Sequence, residues 1–197
     1  MGRPAEFDRD EAVQAAIRVF ARHGFAAAST TDLLDGMGIG RQSLYGAFGD
    51  KRGLFLEALE RYSERSLARM IAAMDAETSA AKALEAALMI DLGCGDDGVV
   101  DVEEGCLGVG SIAEFGRSDS EINALGDRAA LAVLAALADR VRTGQASGDL
   151  KLSLDPDAVA RLLLTLKSGL KIAARGGAPE TEVRAGARLV LEGFRAG

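Results

Sequence analysis

The side chains best suited to chemistry in this chain stand within residues 38–51, Gly-Ile-Gly-Arg-Gln-Ser-Leu-Tyr-Gly-Ala-Phe-Gly-Asp-Lys. The chemistry they offer is recognition, not bond making. A guanidinium such as that of Arg41 can bond a guanine edge bidentately and a carboxamide such as that of Gln42 an adenine, whereas the phenol of Tyr45 and the ammonium of Lys51 suit phosphate. Leu44 and Phe48 are four residues apart, so on a helix they share one face and leave Arg41, Gln42, Ser43 and Tyr45 on the others. A helix of two turns does not stand alone in water. It needs neighbours to hold it, and its polar face needs something outside the protein to touch; the expected partner is the major groove of DNA.

Covalent chemistry is poorly supplied. The single histidine, His23, precedes Gly24 at a helix end and has no second ligand beside it; Cys94 and Cys106 are too few for a disulfide framework or a zinc cluster. No phosphate loop is present. No catalytic residue, metal or cofactor is expected, and the chain is not read as an enzyme.

The elements that must hold the recognition segment are legible around it. Residues 2–7 have no period and read as an arm, after which Asp8 and Glu11 have capping-box spacing and Val13, Ala16, Ile17 and Phe20 form one apolar stripe up to the stop at Gly24. A second helix starts after Ser29, again with capping-box spacing to Asp32, buries Leu33, Leu34 and Met37, and ends at Gly38. Ile39 seats the turn, and a third helix runs from about Arg41 to Phe48. Two short helices joined by a glycine-containing turn form the helix-turn-helix pattern, in which the second helix lies in the groove.

Asp50 caps a fourth helix from Lys51 to about Asp75, roughly 35 to 40 Å long at 1.5 Å per residue, a rigid connector into a second region. Helix resumes near residues 83–92, followed by a Gly-rich acidic loop over residues 93–105. A short buried helix containing Cys106, Leu107, Ile112 and Phe115 ends at Gly116; Ser118 is expected to cap the next, which is apolar nearly all round from Ala129 to Ala138 and frays into a loop over residues 144–148. Asp155-Pro156 starts the eighth helix and Pro179 the ninth. The fold class is all-α, about nine helices, an N-terminal three-helix head (residues 1–50) and a C-terminal helical bundle (residues 51–197).

In the last two helices Val159, Leu163, Leu166, Leu170, Val183, Ala187, Val190, Leu191 and Phe194 recur at helical spacing. They either close the core of one chain or pack against a second copy. Met70, Met74, Met89, Cys106, Phe115, Leu134, Leu137, Leu163 and Leu166 are candidates for the wall of an apolar ligand pocket, with adaptable Met suited to that task.

The net charge of −7 over 197 residues argues against a nucleic-acid binder until it is placed. Residues 1–52 hold seven Lys/Arg and seven Asp/Glu, and residues 53–197 hold sixteen against twenty-three, so the acid belongs to the body. With 48% hydrophobic residues the core is ample, no apolar run reaches the roughly 18 residues of a membrane span, and the polar N-terminal stretch lacks a signal peptide's apolar run. A cytoplasmic protein with no membrane partner is the expectation.

Gly38-Ile39, Ser43-Leu44-Tyr45, Phe48 and Asp50-Lys51, with Gly24-Phe25 and the helix start at Ser29 in register before them, resemble the DNA-binding domain of TetR family transcriptional regulators over residues 8–60. The Gly-Arg-Pro start and Gly105-Cys106-Leu107 are similar to a subgroup of that family. The resemblance implies a homodimeric repressor whose last two helices form the dimer interface and whose body binds a small effector that weakens its hold on a (pseudo)palindromic double-stranded operator. It further implies that Ser29 or Thr30 donates to a phosphate, that Arg41, Gln42 and Ser43 face the groove, that Tyr45 and Lys51 hold backbone phosphates, and that Arg3 reaches the neighbouring minor groove. Gly40 stands where the family often has Ser or Thr, and Gly46-Ala47 where it often has larger residues. Two alternatives stay open: a dimeric small-molecule-binding module without sequence-specific DNA reading, and a thiol-based redox or electrophile sensor using Cys106.

Overall fold

A computed structural model describes residues 7–90, 92 and 106–196. Those residues form nine helices: α1 (Arg9–Ala27), α2 (Thr30–Met37), α3 (Arg41–Phe48), α4 (Lys51–Asp75), α5 (Ala80–Met89), α6 (Leu107–Phe115), α7 (Ser120–Ala146), α8 (Pro156–Arg175) and α9 (Glu180–Glu192). The only β pairing among them is an isolated bridge between Leu150 and Arg195. Among the described residues no helix is long and apolar enough to cross a membrane. The expected acidic loop over residues 93–105, with Cys94, lies outside the described residues.

Two compact units divide the chain, one of residues 1–64 with 103–126 and one of residues 65–102 with 127–197; among the described residues the backbone passes from one to the other within α4 and within α7. In the first unit local chemistry sets most helix ends. Asp8 Oδ1 accepts from the amides of Asp10 and Glu11 at 2.8 and 3.0 Å and starts α1. Gly24, at φ 77° and ψ 174°, breaks that helix, so a last turn begins afresh at Phe25 and its first amides have no partner within the helix. Glu114 on α6 supplies one: its carboxylate accepts from the amides of Phe25 and Ala26 at 2.7 and 2.6 Å.

Phe55 stands at the middle of this unit's interior. Its ring centroid is 5.0 Å from those of Phe20 and Phe25 and 5.6 Å from that of Phe115, joining α1, α4 and α6 by tilted and edge contacts of the kind aromatic quadrupoles favour. Asp119, not Ser118, caps α7: its carboxylate accepts from the amides of Glu121 and Ile122, while the Ser118 hydroxyl turns back to donate to the Phe115 carbonyl. Arg52 donates to both carboxylate oxygens of Asp119 at 2.9 Å and to Glu121 at 2.5 Å. The Ile122 amide first, and then Arg52, hold the Asp119 carboxyl below its ordinary range.

In the second unit α5, α8 and α9 pack on one another around a core that includes Met70, Met74, Leu84, Leu88, Leu137, Val141, Leu163 and Leu191. A fully buried leucine such as Leu163 contributes about 1.5–3 kcal/mol relative to exposure. α7 continues through Gly144 to Ala146, past the point where the sequence suggests a loop. The glycine is there for proximity: a Cβ would lie 2.6 Å from Ala80 Cβ and 2.7 Å from Leu150 Cδ1. Lys167 is buried and donates from Nζ to the carbonyls of Ala87 and Ile90 at 2.5 and 2.9 Å, satisfying carbonyls at the end of α5 that have no partner in the helix.

The chain end is tied to the segment before α8. The Lys151 amide donates to the Phe194 carbonyl at 3.0 Å and the Ala196 amide to the Asp149 carbonyl at 3.1 Å. The Asp149 carboxylate in turn accepts from the Ser79 hydroxyl at 2.8 Å and the Ala81 amide at 3.2 Å, at the start of α5. The Ser79 hydrogen bond, with the amides of Ala81 and Ala80, draws the Asp149 carboxyl below its ordinary range. A carboxyl depressed in the folded state stabilises above its unfolded pKa and loses that effect as pH falls through the folded value. Asp149→Asn is therefore expected to lower the thermal midpoint at neutral pH by about 2–4 °C, corresponding to about 1 kcal/mol for a lost cap. Paired thermal melts check this, with the gap between variant and wild type closing as pH drops below about 4.

Candidate nucleic-acid interface

The turn between α2 and α3 is built by two glycines with different tasks. Gly38 ends α2 in the left-handed region at φ 65°, and Gly40 begins α3 from an extended backbone with no side-chain cap. Leu44 and Phe48 are the buried residues of α3 and turn that face onto its neighbours. α3 then joins α4 at very close range: a Cβ on Gly53 would lie 2.2 Å from the Phe48 carbonyl oxygen, and Asp50 Oδ1 accepts from the Gly53 amide at 2.7 Å. This packing presents the other faces of α3 outward.

On those faces Arg41 and Gln42 are exposed, Ser43 is half-buried and Tyr45 is 45% exposed. None of these four side chains makes a hydrogen bond or an ion pair among the described residues. A row of donors without partners, on a helix held by its apolar side, is a surface made to hydrogen-bond something else. A Cβ at Gly40 or Gly46 would meet nothing within 4 Å, so neither glycine is required by packing. Gly46 leaves a gap in the row between Tyr45 and the half-buried Ala47.

The flanking candidates are differently placed. Ser29 caps α2 in a reciprocal box: its hydroxyl accepts from the Asp32 amide at 3.1 Å and donates to Asp32 Oδ2 at 2.6 Å, and the Ser29 amide donates to the same oxygen at 2.9 Å. The Ser29 hydroxyl first, and then its amide, hold the Asp32 carboxyl below its ordinary range. Ser29 is thus already occupied by an acceptor, whereas the half-buried Thr30 opens the first turn of α2. Lys51 begins α4 with its Nζ 4.7 Å from the Phe25 ring centroid and 3.4 Å from the Ala26 carbonyl oxygen, folded against the end of α1. Arg3 lies outside the described residues.

The helix-turn-helix matches a described family. The pattern described as bacterial regulatory proteins, tetR family, fits residues 12–58, which run from α1 into α4. Over 180 residues, 90% of this chain and 84% of the relative, the sequence is 31% identical to the HTH-type transcriptional repressor ComR of Escherichia coli (strain K12). The chain belongs to the TetR family. A second relative, the HTH-type transcriptional repressor BdcR of Escherichia coli (strain K12), is 44% identical over 61 residues, 31% of each chain. Among solved structures, the TetR family regulator CifR, a cysteine mutant complexed with 26-bp double-strand operator DNA, is 30% identical, with a TM-score of 0.79 over 98% of this chain and 100% of that one. A TetR family regulator from Cytophaga hutchinsonii shares the fold at a TM-score of 0.83 and 18% identity, covering 96% of this chain and 95% of that one. The described residues have the all-helical TetR fold from end to end.

The remaining sequence candidates separate by unit. Met70, Met74, Met89, Leu137 and Leu163 are buried in the second unit's core, with Leu134 and Leu166 packed against it, while Cys106 and Phe115 belong to the first unit. Cys106 is partly exposed ahead of α6, its sulfur 2.9 Å from the Tyr62 phenolic oxygen. Val159, Leu163, Leu170, Val183, Ala187, Leu191 and Phe194 are buried in the core of their own protomer, and Leu166 and Val190 pack against it. The apolar side chains that α8 and α9 expose are others: Leu162 at 48%, Ile172 at 60% and Leu189 at 73%. Among the described residues no group of three or more His, Cys, Asp or Glu is placed to hold a metal ion.

Proposed function

We propose that this TetR family protein is a repressor that binds a (pseudo)palindromic operator as a homodimer and is released by a small-molecule effector. The observation that carries the reading is the partnerless polar row of Arg41, Gln42, Ser43 and Tyr45 on a helix that buries Leu44 and Phe48 against its neighbours. Arg41 and Gln42 are the readers of base edges; Tyr45 and Lys51, with Thr30 at the start of α2, hold phosphates. Residues 1–50, with Lys51 at the start of α4, carry the DNA contact, and the rest of residues 51–197 the effector and the dimer contact. The relatives support this, since ComR is a repressor and CifR is seen on operator DNA.

Repression requires two heads. Their recognition helices must stand about 34–36 Å apart to enter successive major grooves on one DNA face. The exposed Leu162 and Ile172 of α8, with Thr165 and Gly169 between them on the same face, and Leu189 of α9 form the surface for the second copy. Small residues there, Gly169 and Ala185, let helices approach closely. The Met-lined interior of the second unit, Met70, Met74 and Met89, is the region for an apolar effector. Such a ligand acts only through unequal affinity for the DNA-competent and released states.

A second reading rests on the Tyr62 phenol 2.9 Å from the partly exposed Cys106 sulfur: once the thiol is deprotonated the phenol can donate to the thiolate, the form that reacts with oxidants or electrophiles.

Three experiments test these readings. Arg41→Ala and Tyr45→Ala are expected to weaken binding to DNA from around the protein's own gene. Arg41→Ala should relax base preference with a loss of about 1–3 kcal/mol, and Tyr45→Ala should weaken all sequences alike; a gel shift unchanged by either removes the reading. Ile172→Glu with Leu189→Glu is expected to give a monomer by analytical ultracentrifugation and to lose the two-half-site advantage. In the third, N-ethylmaleimide should release wild-type protein from DNA but spare Cys106→Ser, and equal behaviour of the two discards the thiol sensor.

A further inference from the structure

We propose that Arg9 is a positioning residue for the recognition helix, acting through a clamp on the C-terminal end of α3; the proposal rests on the DNA-binding reading above. The guanidinium donates from Nε and Nη2 to the two carboxylate oxygens of Glu57 on α4, at 3.1 and 2.7 Å, and from Nη1 to the Ala47 carbonyl at 3.0 Å. Its carbon lies 4.5 Å from the centroid of the Phe48 ring, against which Phe7 also packs at 6.4 Å. One planar group therefore joins α1, α3 and α4.

The clamp meets a need of α3 in particular. The Ala47 carbonyl is among the last four of the helix, which have no acceptor role inside it, and a cation at that end suits the helix dipole. Gly46, next to Ala47, restrains the backbone least of all residues, and α3 has no side-chain cap at its start. The direction of the reading face thus depends on what grips its end. Arg9 does so with a rigid fork that a lysine cannot reproduce. Its side chain is 48% exposed, and an ion pair so exposed contributes little to stability. What it supplies is geometry.

The test uses full-length protein, a duplex selected by the wild type from a random-sequence pool, and a scrambled duplex, with affinities measured across a salt series. Arg9→Lys and Glu57→Gln are expected to reduce the ratio of specific to nonspecific affinity by about tenfold, within the discrimination carried by one bidentate base contact. Thermal midpoint and salt slope should stay unchanged. Glu57→Gln is the sharper variant: it removes a negative charge, which by general attraction to phosphates would strengthen binding, so a loss of selectivity points to the clamp. Equal selectivity of Glu57→Gln and wild type overturns the proposal. So does an Arg9→Gln variant that weakens both duplexes alike and lowers the salt slope by about 0.9, which marks a phosphate contact, or a lost selectivity that returns on cooling together with helix content. A wild type that selects no duplex overturns the DNA-binding reading itself.

Discussion

An eight-residue helix with a glycine in its third quarter does not persist in water, because nucleating a helix fixes several dihedrals for each early hydrogen bond. α3 exists only as part of an assembly, and the head is arranged to supply it. Leu44 and Phe48 provide the burial, Gly38 the left-handed turn before it, Asp50 the cap after it, and Gly53 the bare backbone that lets α4 come against Phe48. The apolar contacts do the holding. That leaves the polar side chains of α3 without an internal role, and a helix that depended on them for its own stability could not offer them to a ligand.

The same division explains the neutral charge count of residues 1–52. Asp8, Asp32 and Asp50 are each occupied in capping helix amides, Asp10 pairs with Arg61, and Arg52 is taken up by Asp119 and Glu121. Four of the head's seven acids are thus engaged at helix starts or with Arg61, while Arg41 has no such partner among the described residues. A sum over the segment therefore understates the cationic character of its reading face. Net charge describes solubility and long-range attraction; it does not describe which charges are available.

How much was legible in the sequence follows from the range of each interaction. The boundaries of α2, α3 and α8 could be read because Ser29, Gly38 and Asp155 act on amides or dihedrals within a few residues of themselves. At the start of α7 Ser118 and Asp119 both suit a cap in sequence; the structure uses Asp119, whose carboxylate also receives Arg52 from 67 residues away. The end of α7 was misread because Gly144 signals a break in sequence, whereas its bareness serves contact with Ala80 and Leu150. Periodicity identified the stripes of α8 and α9 correctly as apolar. It does not say whether a stripe meets its own chain or another, and Val159, Leu163 and Leu170 meet their own while Leu162 and Ile172 stay exposed. The Arg9–Glu57 contact carries no local signal, since its partners are 48 residues apart.

The carboxylate of Glu114 on the broken end of α1 bears on how the protein is made. It lies 89 residues beyond the first of the two amides it receives, and the aromatic cluster gains Phe115 from the same place. The helix-turn-helix leaves the ribosome before α6, yet the end of α1 keeps two open amides, and Phe25 and Phe55 lack their contact with Phe115, until α6 has emerged. The head is therefore early in synthesis and late in completion, a part that matures only when most of the chain exists. A nascent fragment cut off before α6 would carry the helix-turn-helix without the contacts that finish its support.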